Sequence, residues 1–142
     1  MAGLRIGYGL GTPELIGRLG RARATFSVSS VAQAAALAAL DDEAHVRRAL
    51  ENNAAGAEFL TRAMAKMGYC LASTWANFIY VDLRQEAAPL STRLEAEGVI
   101  IRPLGPWGAP NAIRVTIGTP EENEFFVNAF RKVMRCGVEG KG

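Results

Sequence analysis

The chain has 142 residues, of which 49% are hydrophobic and 21% charged, and its formal net charge is +2. This composition is typical of a soluble globular domain with a core of its own, and it excludes a disordered or fibrous chain. The small net charge is spread along the chain without a basic block, which does not favour nucleic acid or an anionic membrane as a partner.

The first forty residues are predicted to form a short strand followed by helices. Alternating apolar residues indicate the strand over residues 3–10. Thr12-Pro13-Glu14 has the order of an N-cap, a first helical residue and a first-turn acid, and therefore predicts a short helix. Ser29 or Ser30 is predicted to cap a second, alanine-rich helix. The residues of the first helix expected to face inward are Leu15, Ile16 and Leu19.

A long amphipathic helix follows. It is predicted to begin at Asp41 or Asp42 and to end at Gly68, a residue type that commonly closes helices. Apolar residues recur along it at steps of three or four, which gives the helix one apolar face. They are Val46, Leu50, Ala54, Ala57, Leu60, Met64 and Met67.

Strands and shorter helices are predicted after the long helix. A polar helix is expected from Leu90 to Glu97, closed by Gly98, and a last helix begins with the capping box Thr119-Pro120-Glu121-Glu122. The order β-α-β-β-α predicts a compact α+β unit with helices on one face of a small sheet. The β-like stretches cover residues 69–72, 78–83, 99–104 and 112–117. The last helix is expected to bury Phe126, Phe130 and Val133, with Phe125 or Met134, before a frayed tail from Gly137.

Three arginines lie inside predicted apolar strands, namely Arg5, Arg102 and Arg114. A buried, unpaired guanidinium is costly, so each is expected to face solvent, to pair with a carboxylate or to bind an anion. Two of them border loops rich in glycine or proline, and arginine suits bidentate binding of carboxylate or phosphate. The residues alone therefore predict a site for a small anionic ligand and name no reaction.

Other residues of chemical interest have simpler interpretations. Cys70 and Cys136 are far apart and outside any metal spacing, so buried or inert thiols in a reducing compartment are expected, and no metal site. His45 lies in a polar helix start and is expected at the surface. Asn77 precedes a strand as a turn or cap amide, and Trp107 could equally line a pocket or cover the sheet edge. No signal peptide or membrane span is recognised, so a cytoplasmic chain is expected.

Five segments of the chain carry a family resemblance through their residues, order and spacing. They are Ala2-Gly3-Leu4-Arg5-Ile6-Gly7-Tyr8-Gly9, the stretch Phe26-Ser27-Val28-Ser29-Ser30-Val31-Ala32-Gln33-Ala34-Ala35, Ala76-Asn77-Phe78, Val99-Ile100-Ile101-Arg102-Pro103-Leu104 and Ile113-Arg114-Val115-Thr116-Ile117-Gly118-Thr119. Together they resemble the C-terminal portion of the histidinol-phosphate aminotransferase family, fold-type I transferases of aminotransferase class I/II that use pyridoxal 5'-phosphate. The resemblance extends to about residue 135.

The resemblance implies a domain organisation and an activity. Residues 1–30 would be a remnant of the large cofactor-binding domain and its connection, 31–137 the small C-terminal domain, and 138–142 a tail. The implied reaction is transamination between histidinol phosphate and 2-oxoglutarate in histidine biosynthesis, carried out by a homodimer. A broad amino-acid aminotransferase or a threonine-phosphate decarboxylase is the alternative within the family.

The resemblance also implies roles for single residues. Arg5 matches the arginine that holds the cofactor phosphate. Arg114 matches the arginine that binds the amino acid's carboxylate and helps to bind the substrate phosphate, and Arg102 matches a second arginine facing that anion. Asn77 matches a position near the active site and is counted among the substrate-binding residues without an assigned chemical role, and packing is expected for Tyr8.

No catalytic residue is implied within this chain. In the family the aldimine-forming lysine lies a few residues before the stretch that contains Arg5, whereas this sequence begins at Met1. Lys66, Lys132 and Lys141 match no such position. We therefore expect the chain to be inactive alone and Met1 to be an internal residue of a longer protein. Outside the family, a non-catalytic stand-alone α+β module that binds a small anion, or a chain that associates through exposed apolar surface, remains open.

Overall fold

The computed structural model describes the backbone of residues 2–139 and the side chains of residues 3–135. It divides into two compact units, Met1–Arg47 and Arg48–Gly142. The domain boundary predicted near residue 30 stays a prediction. None of the helices in the described part of the chain combines the length and apolar character that crossing a membrane requires.

The first unit is built from helices. Ala2–Leu4 form a 3-10 turn, and the helices are α1 (Pro13–Ala22), α2 (Ser30–Leu40) and the start of α3 (Glu43–Ala65). The strand predicted over residues 3–10 is wrong, because this segment pairs with no other strand in the described residues of the unit. Alternation of apolar residues can describe a strand, but a strand forms only where a neighbour satisfies its backbone groups.

The predicted caps of the first two helices are confirmed. The Thr12 hydroxyl accepts a hydrogen bond from the Leu15 N–H at 3.4 Å, and the Ser29 hydroxyl accepts one from the Ala32 N–H at 3.1 Å. Ser29, rather than Ser30, is therefore the cap of α2. These contacts are local, which is why the sequence predicts them.

The inward orientation predicted for the apolar face of α1 is wrong. Leu15, Ile16 and Leu19 are 50%, 43% and 58% exposed. Among the described residues of the first unit, only Ala32 is buried. The periodicity identifies an apolar face correctly, but this unit supplies no surface that covers it.

The second unit contains the core. Its strands are β1 (Phe78–Asp82), β2 (Arg102–Leu104) and β3 (Ala109–Thr116), and its later helices are α4 (Ala87–Ala96) and α5 (Pro120–Glu139). The strands form an antiparallel sheet in the order β1-β3-β2. One face of the sheet is buried against the helices, which confirms the predicted α+β fold with helices on one face. The largest fully buried side chains are Phe130, Leu60, Met64, Ile79, Leu90, Leu94, Ile113 and Val81.

Two glycines end helices as predicted. Gly68 and Gly98 have φ angles of 86° and 82°, in the left-handed region that favours glycine. The N–H of the next residue, Tyr69 or Val99, donates to a carbonyl of the last helical turn at 3.0 and 2.9 Å respectively. This is the Schellman arrangement, and it directs the chain out of α3 and α4.

The predicted strand at residues 69–72 is wrong, and the strand predicted over 99–104 is shorter, since β2 covers only Arg102–Leu104. Segment 69–72 and residues 99–101 have no ladder partner among the described residues. Val99 is buried, and Tyr69, Leu71 and Ile101 pack against the core through their side chains, whereas Ile100 is 87% exposed. The apolar residues of these segments therefore partly mark contacts with the core, and ladder pairing decided which segments are strands.

The last helix follows its prediction closely. The Thr119 N–H donates to the Glu122 carboxylate at 2.8 Å and the Glu122 N–H donates to the Thr119 hydroxyl at 3.3 Å, which confirms the capping box. Phe126, Phe130 and Val133 are buried, whereas Phe125 is 54% exposed and Met134 is partly buried. The helix continues past Gly137 to Glu139, and the rest of the predicted tail, 140–142, lies outside the described residues.

Candidate anion-binding site on the open sheet face

Three side chains lie in one row across the open face of the sheet. Arg114 occupies the central strand and pairs with Tyr80 in β1 and with Arg102 in β2. All three residues are exposed, while Ile79, Val81, Ile113 and Val115 on the same strands are buried. Because successive side chains of a strand point to opposite faces, this burial pattern assigns the row to the face away from the core.

The two arginines of this row form a like-charged cross-strand pair. Side chains directly opposite in an antiparallel ladder have Cβ atoms roughly 4.5–5.5 Å apart, and like charges there are destabilising. Within the described part of the second unit, neither Arg102 nor Arg114 forms a salt bridge with a carboxylate. The structure therefore selects the solvent-facing alternative for both residues and concentrates positive charge that an anion would neutralise.

Phe78 contacts the central arginine. The Arg114 guanidinium carbon lies 5.3 Å from the centroid of the Phe78 ring, within the range of a cation–π interaction. The direct cross-strand partner of Phe78 is Thr116, so the ring reaches Arg114 along the diagonal of the ladder. Sequence reasoning had placed Phe78 in a family-like segment without giving it a role, because the contact depends on the register of β1 against β3.

Asn77 lies at the entry of β1. Its backbone carbonyl accepts a hydrogen bond from the Ile117 N–H at 2.9 Å, which extends the β1–β3 ladder by one step. Its side chain is exposed and lies outside the row of Tyr80, Arg114 and Arg102. The backbone of Asn77 thus has a structural role, and substrate binding by its side chain stays a prediction.

Asn123 was missed by the sequence reasoning. It is only 3% exposed on α5, and its side chain accepts a hydrogen bond from the Gly118 N–H at 3.0 Å and donates one to the Gly118 carbonyl at 3.1 Å. Asn52 donates to the same carbonyl at 3.0 Å. These bonds fix the chain just after the strand that carries Arg114, and the available signal was a polar residue at an inward position of an amphipathic helix.

Arg5 belongs to the first unit. It follows the Ala2–Leu4 turn with a φ of 56°, a left-handed conformation that Phe26 and Arg84 also adopt. Such residues cost about 1–3 kcal/mol and occur where the surrounding structure requires them. Arg5 is exposed, and its role towards a cofactor phosphate stays a prediction.

The remaining candidates are consistent with modest roles. His45 is exposed at the start of α3, as expected for a surface residue, and its backbone N–H donates to the Asp42 carboxylate at 2.9 Å. Cys70 is exposed, which leaves the inert alternative of the expected buried or inert thiols, and the side chain of Cys136 lies outside the described residues. Trp107 is 66% exposed in the 3-10 turn between β2 and β3.

The described lysines are positioned at the surface. Lys66 is exposed just beyond the end of α3. Lys132 forms an ion pair with Glu97 at 2.6 Å on the outside of the helical layer. Lys141 lies outside the described residues.

The chain belongs to the family of aminotransferases of class I and II, whose model matches residues 1–130. Within that family it is 45% identical over 137 residues to histidinol-phosphate aminotransferase 2 of Pseudomonas fluorescens, across 96% of this chain and 37% of that protein. The chain therefore spans little more than a third of the length of this relative.

Solved structures support the same family. The histidinol-phosphate aminotransferase of Sinorhizobium meliloti, determined with pyridoxal-5'-phosphate, matches with a TM-score of 0.81 and 28% identity over 96% of this chain and 38% of that chain. A mutant of Thermus thermophilus aspartate aminotransferase matches with a TM-score of 0.74 and 26% identity over 94% of this chain and 40% of that chain. The fold is thus that of part of a fold-type I aminotransferase, as predicted, and enzymes named for different substrates share it.

Proposed function

We propose that this chain provides anion-binding residues of a pyridoxal-phosphate-dependent aminotransferase, which transfers an amino group between histidinol phosphate and 2-oxoglutarate. The observation that carries the proposal is the exposed pair of Arg102 and Arg114 on the open sheet face. Relatives that are 45% and 42% identical are named histidinol-phosphate aminotransferases, which favours histidinol phosphate as the substrate. The match to an aspartate aminotransferase keeps a broader amino-acid specificity as an alternative within the family. A threonine-phosphate decarboxylase activity is the other alternative within the family.

The proposed roles follow from charge and geometry. Arg114 would bind a carboxylate of 2-oxoglutarate through two of its coplanar N–H donors and would help to bind the phosphate of histidinol phosphate, for which Arg102 would supply the second cation. Asn77 would lie near the bound substrate. Each arginine would thereby orient the substrate by its anionic end and leave the amino group free to react.

The cofactor would be held by other residues. Pyridoxal 5'-phosphate, when bound, supplies an aldehyde and an electron sink for amino transfer. Arg5 would hold its phosphate by a bidentate contact. No lysine of this sequence matches the family's cofactor-attaching position, so we propose that the chain alone does not catalyse the reaction and acts within a longer, homodimeric, cytoplasmic protein.

The anion site is tested by titrating the purified chain with inorganic phosphate and following backbone amides by NMR. Arg114→Gln and Arg102→Gln should each weaken phosphate binding about tenfold, because each removes a charge-assisted hydrogen bond worth about 1.5 kcal/mol or more. Arg131→Gln is the matched control, since Arg131 is an exposed arginine on α5. Equal affinities for all three variants would refute the site.

The completeness of the active site is tested at the level of DNA. Reading the coding sequence upstream of Met1 should show an in-frame lysine a few codons before the segment that contains Arg5. A stop codon immediately before Met1, without such a lysine, would contradict the proposal.

A stand-alone binding module is a second candidate function. The core cluster of the second unit, from Leu60 to Val133, lies within that unit, which favours a unit that folds without a cofactor domain. Phosphate binding by the purified chain, together with no cofactor absorbance shift after addition of pyridoxal 5'-phosphate and no upstream lysine, would favour the module. An absorbance shift of the kind given by a lysine-bound cofactor would contradict the proposed inactivity of the chain.

A further inference from the structure

The contact between Phe78 and Arg114 has a property that an ion pair lacks. A carboxylate partner would occupy N–H donors of the guanidinium, whereas an aromatic ring attracts the cation through its face and accepts none of them in a strong hydrogen bond. With 5.3 Å between the guanidinium carbon and the ring centroid, the side chain of Arg114 is held while its donors stay available. This is what an arginine that must bind an anion requires.

The position of the ring also matters. Phe78 belongs to β1 and Arg102 to β2, and these strands lie on opposite sides of the central strand β3 that carries Arg114. The ring therefore attracts Arg114 towards β1, the side away from Arg102. This attraction acts in the same direction as the repulsion between the two guanidinium groups.

Phe78 is itself well fixed. It is half-buried at the start of β1 and pairs with Thr116 in the ladder. Its carbonyl accepts a hydrogen bond from the Thr74 hydroxyl at 2.9 Å, which ties the strand to the preceding loop. A ring on a paired strand offers a more rigid support than a flexible charged side chain on a loop would.

From this geometry we propose that Phe78 is a positioning residue for the anion site: its ring holds the Arg114 guanidinium on the β1 side and keeps its donors free for a carboxylate or phosphate. The proposal rests on the proposed function of Arg114. It assigns Phe78 no contact with the reacting atoms. Its effect is to reduce the ordering that Arg114 must undergo when the anion binds.

The test uses NMR of the Arg114 side-chain N–H in the 142-residue chain, with inorganic phosphate as the probe. Phe78→Leu and Phe78→Met should remove the ring-current shift of this N–H and weaken phosphate binding about two- to fivefold, the range expected for an exposed cation–π contact. Phe78→Tyr should retain both the shift and the affinity. Phe125→Leu is the control, because Phe125 is another partly exposed phenylalanine, on α5.

The outcomes separate the two proposals. If Arg114→Gln weakens phosphate binding while both non-aromatic Phe78 variants bind like the original chain, the role of Phe78 is refuted and the anion site stands. If Arg114→Gln leaves the affinity unchanged, the anion site fails and the positioning role fails with it. Circular dichroism identifies a variant that does not fold, in which case the other non-aromatic variant and the Phe78→Tyr rescue decide.

Discussion

Replacing Asn123 with alanine should destabilise the second unit strongly, although it removes only one small polar side chain. The side chain is almost fully buried and forms two hydrogen bonds with Gly118, at 3.0 and 3.1 Å. After the substitution the Gly118 carbonyl keeps the Asn52 donor at 3.0 Å, but the Gly118 N–H loses its side-chain partner. The effect on the two groups is therefore unequal.

The magnitude follows from this inequality. Because Gly118 is only partly buried, leaving its N–H unsatisfied should cost about 1–2 kcal/mol, the lower part of the range for buried donors, and losing one of two bonds to the carbonyl adds about 0.5–1 kcal/mol. We expect Asn123→Ala to lower the free energy of unfolding by about 2–3 kcal/mol. Asn123→Asp should also destabilise, because it keeps the acceptor for the Gly118 N–H but replaces the donor with an oxygen facing the Gly118 carbonyl.

Urea unfolding followed by circular dichroism measures this difference. Asn128→Ala is the matched control on the same helix, because Asn128 is exposed and only accepts a 3.4 Å hydrogen bond from Arg131. It should change the free energy of unfolding by less than about 0.5 kcal/mol. A loss in Asn123→Ala no larger than in Asn128→Ala would refute the reasoning.

Three further predictions concern local geometry. Gly56→Ala would place a Cβ 2.5 Å from Ile117 Cγ2 and should lower the free energy of unfolding in urea by about 1–3 kcal/mol, because this clash outweighs the higher helix propensity of alanine. Gly17→Ala, whose Cβ would have nothing within 4 Å, should instead raise the helix content measured by circular dichroism. Gly68→Ala should cost about 1–2 kcal/mol because its φ is 86°, and Gly68→Asn should cost less, as thermal unfolding would show. Burial raises the pKa of Tyr69 above its ordinary 10.0, so the neutral phenol stabilises the fold below pH 10.0, and this stabilisation is lost as pH rises through the raised pKa. Denaturation on both sides of pH 10.0 should therefore show a smaller alkaline loss of the free energy of unfolding in Tyr69→Phe than in the original chain, and equal losses would contradict the burial.

The candidate site shows how far sequence reasoning reaches. The surrounding apolar residues predicted strand positions correctly for Arg102 and Arg114, but only Arg114 is interior, since β2 begins at Arg102. Their pairing could not be predicted, because it depends on the register of β2 against β3, two strands joined by a short turn and a bulge. For Arg5 the strand itself was wrong, since the segment has no partner among the described residues of its unit.

The sequence by itself determined the features that depend on near neighbours in the chain: the helix caps at Thr12 and Thr119, a cap at Ser29 or Ser30, and the glycine endings at Gly68 and Gly98. It also determined the family, through motifs in order along the chain.

Only the tertiary structure decided which apolar segments are strands and which arginines meet. It also decided that Phe78 contacts Arg114 and that Asn123 holds Gly118. Caps and turns are satisfied by atoms a few residues apart, whereas ladders, buried amides and cation–π contacts join residues whose approach depends on how the whole unit packs.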